Sequence, residues 1–94
     1  MLIVEEPSWT EAAEKFGGLE NVDAALDPII EALSLNPTGF PLVPGFRDLR
    51  LAKTDRIEHD DGRIIVPALR VWFNYRAGDD RVYLLYAEEI PEDA

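Results

Sequence analysis

The chain has 94 residues, of which 47% are hydrophobic, and it carries a formal net charge of −10. This length predicts one domain, and the apolar content suffices for one compact core and argues against a fully disordered chain. No apolar run approaches the roughly 18 residues of a membrane span. The absence of cysteine excludes a disulfide framework and a thiolate metal site. Because the start lacks the pattern of a secretion signal, we expect a single cytoplasmic domain over residues 1–94, with no membrane attachment.

The charge is unevenly distributed along the chain. Residues 1–46 hold one basic and eight acidic residues, residues 47–81 hold eight basic and seven acidic residues, and residues 82–94 hold four acidic residues and no basic one. The net charge argues against nonspecific adhesion to nucleic acid or to an anionic membrane. A local basic surface formed by the second half is still compatible with this charge. Residues 88–94 predict a flexible acidic tail.

The first half predicts a short strand followed by two helices. The apolar run LIVEE ends at Pro7 and fits the strand. Ser8, with Glu11 three residues later, has the spacing of a capping box that starts the first helix. Gly17 and Gly18 are expected to end it.

Apolar residues recur at helical spacing in the next segment and predict a second, amphipathic helix that ends at Asn36 and Pro37. Its expected buried stripe consists of Val22, Leu26, Ile29 and Leu33. Pro28 should kink this helix or restart it, with Asp27 as the new cap.

From Phe46 onward apolar and polar residues alternate, which is typical of β-strands. The segments DDG at 60–62 and AGDD at 77–80 predict two hairpin turns, so three strands should form an antiparallel meander. Pro67 cannot donate to a ladder and should mark a bulge, an edge or the true start of the middle strand. The whole order predicts an α+β domain with an N-terminal strand and two helices packed on one face of an antiparallel sheet.

The segment LRVWFNYR places alternate side chains on opposite faces of its strand. The set expected against the helices is Leu69, Val71, Phe73 and Tyr75, and the set expected in solvent is Arg70, Trp72, Asn74 and Arg76. On the preceding strand the polar parity is Arg50, Ala52, Thr54 and Arg56, with Leu49, Leu51 and Ile57 on the other. If the polar faces coincide, one exposed surface contains Arg50, Arg56, Arg70, Trp72 and Arg76.

Two interpretations of this surface compete. Guanidinium groups present a planar fork of donors to phosphate, and an exposed Trp can stack on an unpaired base, so the face could be an RNA platform with Arg56, Trp72 and Arg76 as RNA contacts. Alternatively, arginines paired with neighbouring acidic residues across strands simply keep one sheet face soluble. Seven acidic residues lie among the eight basic ones of residues 47–81, which favours the second interpretation.

Other motifs with chemical meaning are scarce. His59 is the only histidine and lies at a predicted turn, where a solvated side chain is favoured over a metal ligand. The chain has no Gly-rich phosphate-binding loop and no Cys/His pair. We therefore expect neither a metal nor another cofactor.

Several short motifs of the second half occur in a defined order. A helix ends in NP, the Pro/Gly-rich connection TGFPLVPGF follows, and the segments LRLA, LRVWFNY and YLLYAEE come next. In this order and spacing, over residues 22–89, they resemble the RelE/HigB-like branch of the RelE/ParE toxin superfamily.

The resemblance implies a bacterial toxin of a type II toxin–antitoxin pair. Members of this branch cut mRNA in the ribosomal A site without a metal, as the ribose 2′-hydroxyl attacks the adjacent phosphate. By the resemblance, Arg50 and Arg70 would contact phosphate, and Lys53 and Tyr86 would assist as further catalytic residues. The implied partners are a cognate antitoxin, the ribosome and mRNA.

Two departures from the family pattern keep alternatives open. Glu88 and Glu89 stand where members commonly carry a basic or aromatic residue, and active members are usually strongly basic, as RNA binding requires. The main alternative is a non-catalytic member of the fold that serves as a protein-interaction module. A gyrase inhibitor, as in the ParE branch, is a third, and a homodimer is compatible with each.

Overall fold

The computed structural model describes residues 2–36, 38–58, 60–76 and 78–91. Within them the helices and strands follow in the order β1 (Leu2–Glu5), α1 (Pro7–Glu14), α2 (Leu19–Leu35), β2 (Leu49–Lys53), β3 (Ile57–Glu58), β4 (Ile64–Val66), β5 (Leu69–Arg76) and β6 (Arg81–Glu89). This content confirms the α+β class. Pro37, His59 and Ala77, on which parts of the predicted helix end and turns fall, lie outside the described residues.

The main sheet has four strands in the order β1-β6-β5-β2. The β6–β5 and β5–β2 pairs are antiparallel, as the predicted hairpins require, but β1 is parallel to β6. The sheet is therefore mixed rather than purely antiparallel. Hairpin turns impose antiparallel neighbours, whereas β1 is connected to β6 through the rest of the chain, which permits a parallel pair.

The first of the two predicted hairpins, with its turn at residues 60–62, is divided between two sheets. β2 pairs with β5 in the main sheet, while β3 pairs with β4 in a separate two-stranded sheet. Thr54 stands at the division: its amide donates to the Leu69 carbonyl at 2.9 Å and its hydroxyl accepts from the Leu69 amide at 3.0 Å. Pro67 lies in the break between β4 and β5. It thus precedes the start of the long strand, one of its three predicted roles.

Helix α1 starts two residues earlier than the capping-box spacing predicts. Pro7 takes the first helical position and Glu6 is the cap residue, with no side-chain capping bond. Ser8 therefore lies inside the first turn, and its hydroxyl donates to the Leu85 carbonyl on β6. The prediction that Ser8 caps α1 is wrong, because the preceding proline is better suited to open the helix.

Helix α2 is continuous from Leu19 to Leu35, with Pro28 inside it. The predicted restart capped by Asp27 is wrong; the helix begins after Gly18, whose φ of +96° is accessible to glycine without steric cost. The predicted stripe is confirmed, since all four of its side chains are buried: Val22, Leu26, Ile29 and Leu33. None of the helices in the described part of the chain is both long and apolar enough to cross a membrane.

One buried cluster joins the helices to the sheet. It combines the α2 stripe and two α1 residues with the inward-pointing side chains of β5 and β6. Its largest fully buried side chains are Trp9, Phe73, Leu33, Leu69 and Leu84. The sheet consequently has one face that carries the core and one that points away from it.

The first two residues of the predicted acidic tail are part of the sheet. Glu88 and Glu89 belong to β6, opposite Arg70 and Leu69. The Ile90 amide then donates to the Ala68 carbonyl at 2.8 Å. Residues 92–94 lie outside the described residues.

Candidate functional site

The alternation predicted for β5 is confirmed. Leu69, Val71 and Phe73 are fully buried, while Arg70 and Trp72 are half-buried on the opposite side of the strand. We call the sheet face that points away from the core the outer face. The strand register places on it the aliphatic residues Leu2, Val4, Leu49 and Leu51 and the polar or aromatic residues Lys53, Arg70, Trp72, Asn74, Arg76, Arg81, Tyr83, Tyr86 and Glu88.

A β-bulge in β6 brings Tyr86 onto the outer face. The register shifts between Trp72, which lies opposite Tyr86, and Phe73, which lies opposite Leu84. Leu85 is the extra residue, so Leu84 and Ala87 both face the core although their parities differ. The Trp72 and Tyr86 rings are neighbours, with centroids 6.0 Å apart and planes inclined by 42°.

The predicted parity of β2 is wrong. Arg50 lies opposite Phe73 and Ala52 opposite Val71, so both point to the core side. Lys53 lies opposite Arg70 on the outer face. The sequence misleads because the buried positions carry the small Ala52 and Thr54, close to α2, whereas leucines take the outer parity.

Arg50 holds a loop instead of presenting its guanidinium group on the outer face. Its Nη1 atom donates to the Phe40 carbonyl at 2.6 Å and to the Thr38 carbonyl at 3.2 Å. The Phe40 ring packs edge-on against Phe73 at 5.7 Å between centroids. Arg50 therefore secures the connection between α2 and β2 over the core.

Lys53 and Arg70 form a basic cluster at one end of the outer face. The Lys53 side chain is exposed, and Arg70 directly opposite it is half-buried. Nη1 of Arg70 donates to Oε1 of Glu88 at 2.8 Å. A guanidinium group has five donor hydrogens, so this ion pair orients Arg70 and leaves donors for another acceptor.

Three residues at the other end of the outer face form a second basic cluster. The Arg76 guanidinium carbon lies 5.0 Å from the Tyr83 ring centroid, within the range of a cation–π contact. Arg81 is charged like any arginine, and a hydrogen bond with Tyr83 raises its pKa further. Between the two basic ends, Nζ of Lys15 lies 6.0 Å from the Tyr86 ring centroid.

Of the seven predicted site residues, five share the outer face and two do not. Lys53, Arg70, Trp72, Arg76 and Tyr86 are together on it. Arg50 is on the core side, and Arg56 lies beyond the end of β2, where its Nε is 2.6 Å from Oε1 of Glu58.

Sequence reasoning missed Lys15, Tyr83 and Arg81. The alternation in RVYLLYAEE indicates Arg81 and Tyr83, but the bulge at Leu85 hides their alignment with Tyr86. Lys15 directly follows α1, and it comes close to Tyr86 on the outer face because α1 packs beside β6. This packing is not visible in the sequence.

The outer face has the opposite charge from the helices. It carries Lys53, Arg70, Arg76 and Arg81 against one acidic residue, Glu88. The two helices carry six acidic and no basic residues within their bounds. Among the described residues no cluster of three or more His, Cys, Asp or Glu side chains could hold a metal ion.

No family model matches the chain, and no curated protein sequence matches it. What the outer face can bind must therefore be derived from its own side chains. It offers two adjacent aromatic rings between two basic clusters, a combination that suits a flexible polyanion with stackable bases.

Proposed function

We propose that the outer face binds single-stranded RNA and that the chain is a RelE/HigB-like toxin that cuts mRNA on the ribosome. The observation that supports this most is the Trp72–Tyr86 ring pair, placed between Lys53 with Arg70 on one side and the Arg76–Tyr83–Arg81 cluster on the other. As a toxin-like protein it would be held inactive by a cognate antitoxin.

The spacing of charges and rings suits an RNA strand. The two basic ends are about 20 Å apart along β5, so they can contact phosphates several nucleotides apart while bases between them stack on the rings, each stacked base contributing about 1–3 kcal/mol. RNA recognition on open sheets uses this division between aromatic stacking and peripheral charge. The acidic helices would repel the strand from the opposite side of the molecule.

The same residues supply a route to strand cleavage. The ribose 2′-hydroxyl gives its proton to water as its oxygen attacks the adjacent phosphorus. The bond from phosphorus to the 5′-oxygen breaks and that oxygen takes up a proton from water, so a 2′,3′-cyclic phosphate and a 5′-hydroxyl result. Arg70 and Lys53 would stabilise the charge that develops on the phosphoryl oxygens. Tyr86, which is 40% exposed, would orient the attacking hydroxyl. Arg50 has no catalytic role in this proposal, because its guanidinium group is bonded to the loop carbonyls.

The proposal is tested by inducing the chain in a bacterial host while growth and mRNA cleavage are followed by primer extension. Growth arrest with ribosome-dependent cuts is expected, and Arg70→Ala and Trp72→Ala should abolish both. Arg63→Ala is the matched control, because this exposed arginine pairs with Asp61 at 2.8 Å, away from the outer face. Intact mRNA in the induced wild type, or cuts that survive both variants, would overturn the proposal.

A second function is favoured by the Arg70–Glu88 ion pair. A carboxylate beside the central arginine competes with phosphate for it, which suits a non-catalytic chain of the same fold that recognises another protein. Purified protein that neither binds nor cuts RNA, on or off the ribosome, would support this second function over the first.

A further inference from the structure

The free edge of β1 is available for strand pairing. β1 stands at the end of the sheet and pairs on one side only, with β6. The amides of Leu2 and Glu6 donate to the carbonyls of Asp80 and Leu84. Because donors alternate along a strand, the amide and carbonyl groups of Ile3 and Glu5 point away from the sheet. No residue of the described chain pairs with them.

A groove of about 490 Å³ opens beside this edge, between β1 and α2. Its apolar lining consists of Ile3, Leu26, Ile30 and Leu84. Ile3 and Glu5 of β1 therefore contribute both outward backbone groups and side chains that line the groove. A strand added to β1 would place every second side chain in this groove.

Three carboxylates border the groove: Glu5, Asp23 and Asp27. None of them forms an ion pair with a basic side chain of the described residues. Asp23 and Asp27 are four residues apart on α2, so they lie on the same helix face. The groove thus combines an apolar floor with uncompensated negative charge.

We propose that the free edge of β1 and the adjoining groove bind an extended, basic segment of another protein by strand addition. The backbone of the segment would pair with Ile3 and Glu5, and its alternate side chains would be aliphatic residues for the floor and Lys or Arg for the carboxylates. A second copy of the chain does not suit this edge, because like carboxylates would meet and each copy carries a charge of −10. This inference does not rest on the proposed function of the outer face.

The test uses the synthetic peptide acetyl-TVTRTVTR-amide, whose alternate residues are valine and arginine, and follows the full chain by ¹⁵N NMR and hydrogen exchange. Saturable shifts and slowed exchange are expected at the amides of Ile3 and Glu5. The control peptide acetyl-TVTETVTE-amide has the same strand propensity with reversed charge and should not bind. The basic outer face should repel the basic peptide, so binding of this peptide reports on the groove and not on the outer face.

Matched variants separate backbone pairing from side-chain contacts. Ile3→Pro removes an amide that faces solvent and is not used for β6, whereas Ile3→Ala removes the side chain but keeps the amide. Peptide binding should be weaker for the proline variant than for the alanine variant. Asp23→Asn with Asp27→Asn should weaken binding about tenfold at low salt, while Glu20→Gln with Glu31→Gln, outside the groove on the same helix, should leave it unchanged.

Three results would overturn the inference. The first is the absence of saturable shifts at Ile3 and Glu5 up to millimolar peptide. The second is equal binding of the acidic control peptide. The third is equal affinity for the Ile3→Pro and Ile3→Ala variants, which would show that no strand is added at this edge.

Discussion

At the scale of single residues, Trp72 has the largest ring on the outer face, next to Tyr86. Because a stacked base contributes about 1–3 kcal/mol, Trp72→Ala should weaken binding of a short single-stranded RNA by about 5- to 150-fold. Trp72→Phe keeps a ring and should lose only part of this. Fluorescence anisotropy with a labelled RNA measures both. Equal affinities for wild type and Trp72→Ala would contradict the stacking role.

Glu88 should restrain RNA binding, since its carboxylate lies 2.8 Å from Nη1 of Arg70. Glu88→Gln keeps the shape and removes the negative charge, so RNA should bind about 2- to 5-fold more tightly at low salt. Glu89→Gln is the control, because Glu89 lies opposite Leu69, off the outer face. The same anisotropy titration tests this, and weaker binding of the Glu88→Gln variant would show that the carboxylate supports the site.

Tyr75 should give the fold an alkaline pH dependence. The Tyr75 hydroxyl donates a hydrogen bond to the Asp80 carboxylate at 3.3 Å. Burial and this nearby carboxylate raise the pKa of Tyr75 above 10.0. The neutral form is favoured in the folded state, so the stabilisation is fully present below the unfolded pKa and is lost as the pH rises through the higher folded pKa. Urea unfolding between about pH 9 and 11 should show this loss in wild type and not in Tyr75→Phe; identical pH profiles would contradict it.

At the scale of secondary-structure elements, Arg50 connects the loop before β2 to the sheet. Arg50→Ala removes its bonds to the Phe40 and Thr38 carbonyls, so the free energy of unfolding should fall by about 1–2 kcal/mol. RNA affinity should be unchanged, because the guanidinium group is on the core side. Urea unfolding and anisotropy measure the two quantities. Lost RNA affinity with unchanged stability would restore Arg50 to the binding surface.

The elements differ in how far sequence predicts them. The α2 stripe and the β5 alternation are correctly predicted, because large apolar side chains recur there at one period and fill the core. β2 is wrongly predicted, because its buried positions are small and its leucines lie on the outer parity. No residue type in β6 marks the position of the bulge. The contact between Trp72 and Tyr86 could therefore not be predicted from the sequence and is seen only in the strand register.

At the scale of the whole molecule, the net charge of −10 conceals two surfaces of opposite sign. The two helices carry acidic residues and no basic one within their bounds, whereas the outer face of the sheet carries four basic residues and one acidic residue. Such an arrangement would orient RNA toward one face while it disfavours nonspecific adhesion elsewhere. It also allows the acidic groove beside β1 and the outer face to bind different partners at the same time.

The most direct test of RNA binding at the outer face is an NMR titration of the ¹⁵N-labelled chain with hexauridylate. Saturable shifts are predicted at the amides of Arg70 and Tyr86 and at the indole N–H of Trp72, decreasing as salt is raised. The buried indole of Trp9 serves as the internal reference and should not move. Shifts confined to α2, or none at millimolar RNA, would contradict the assignment of the outer face to RNA.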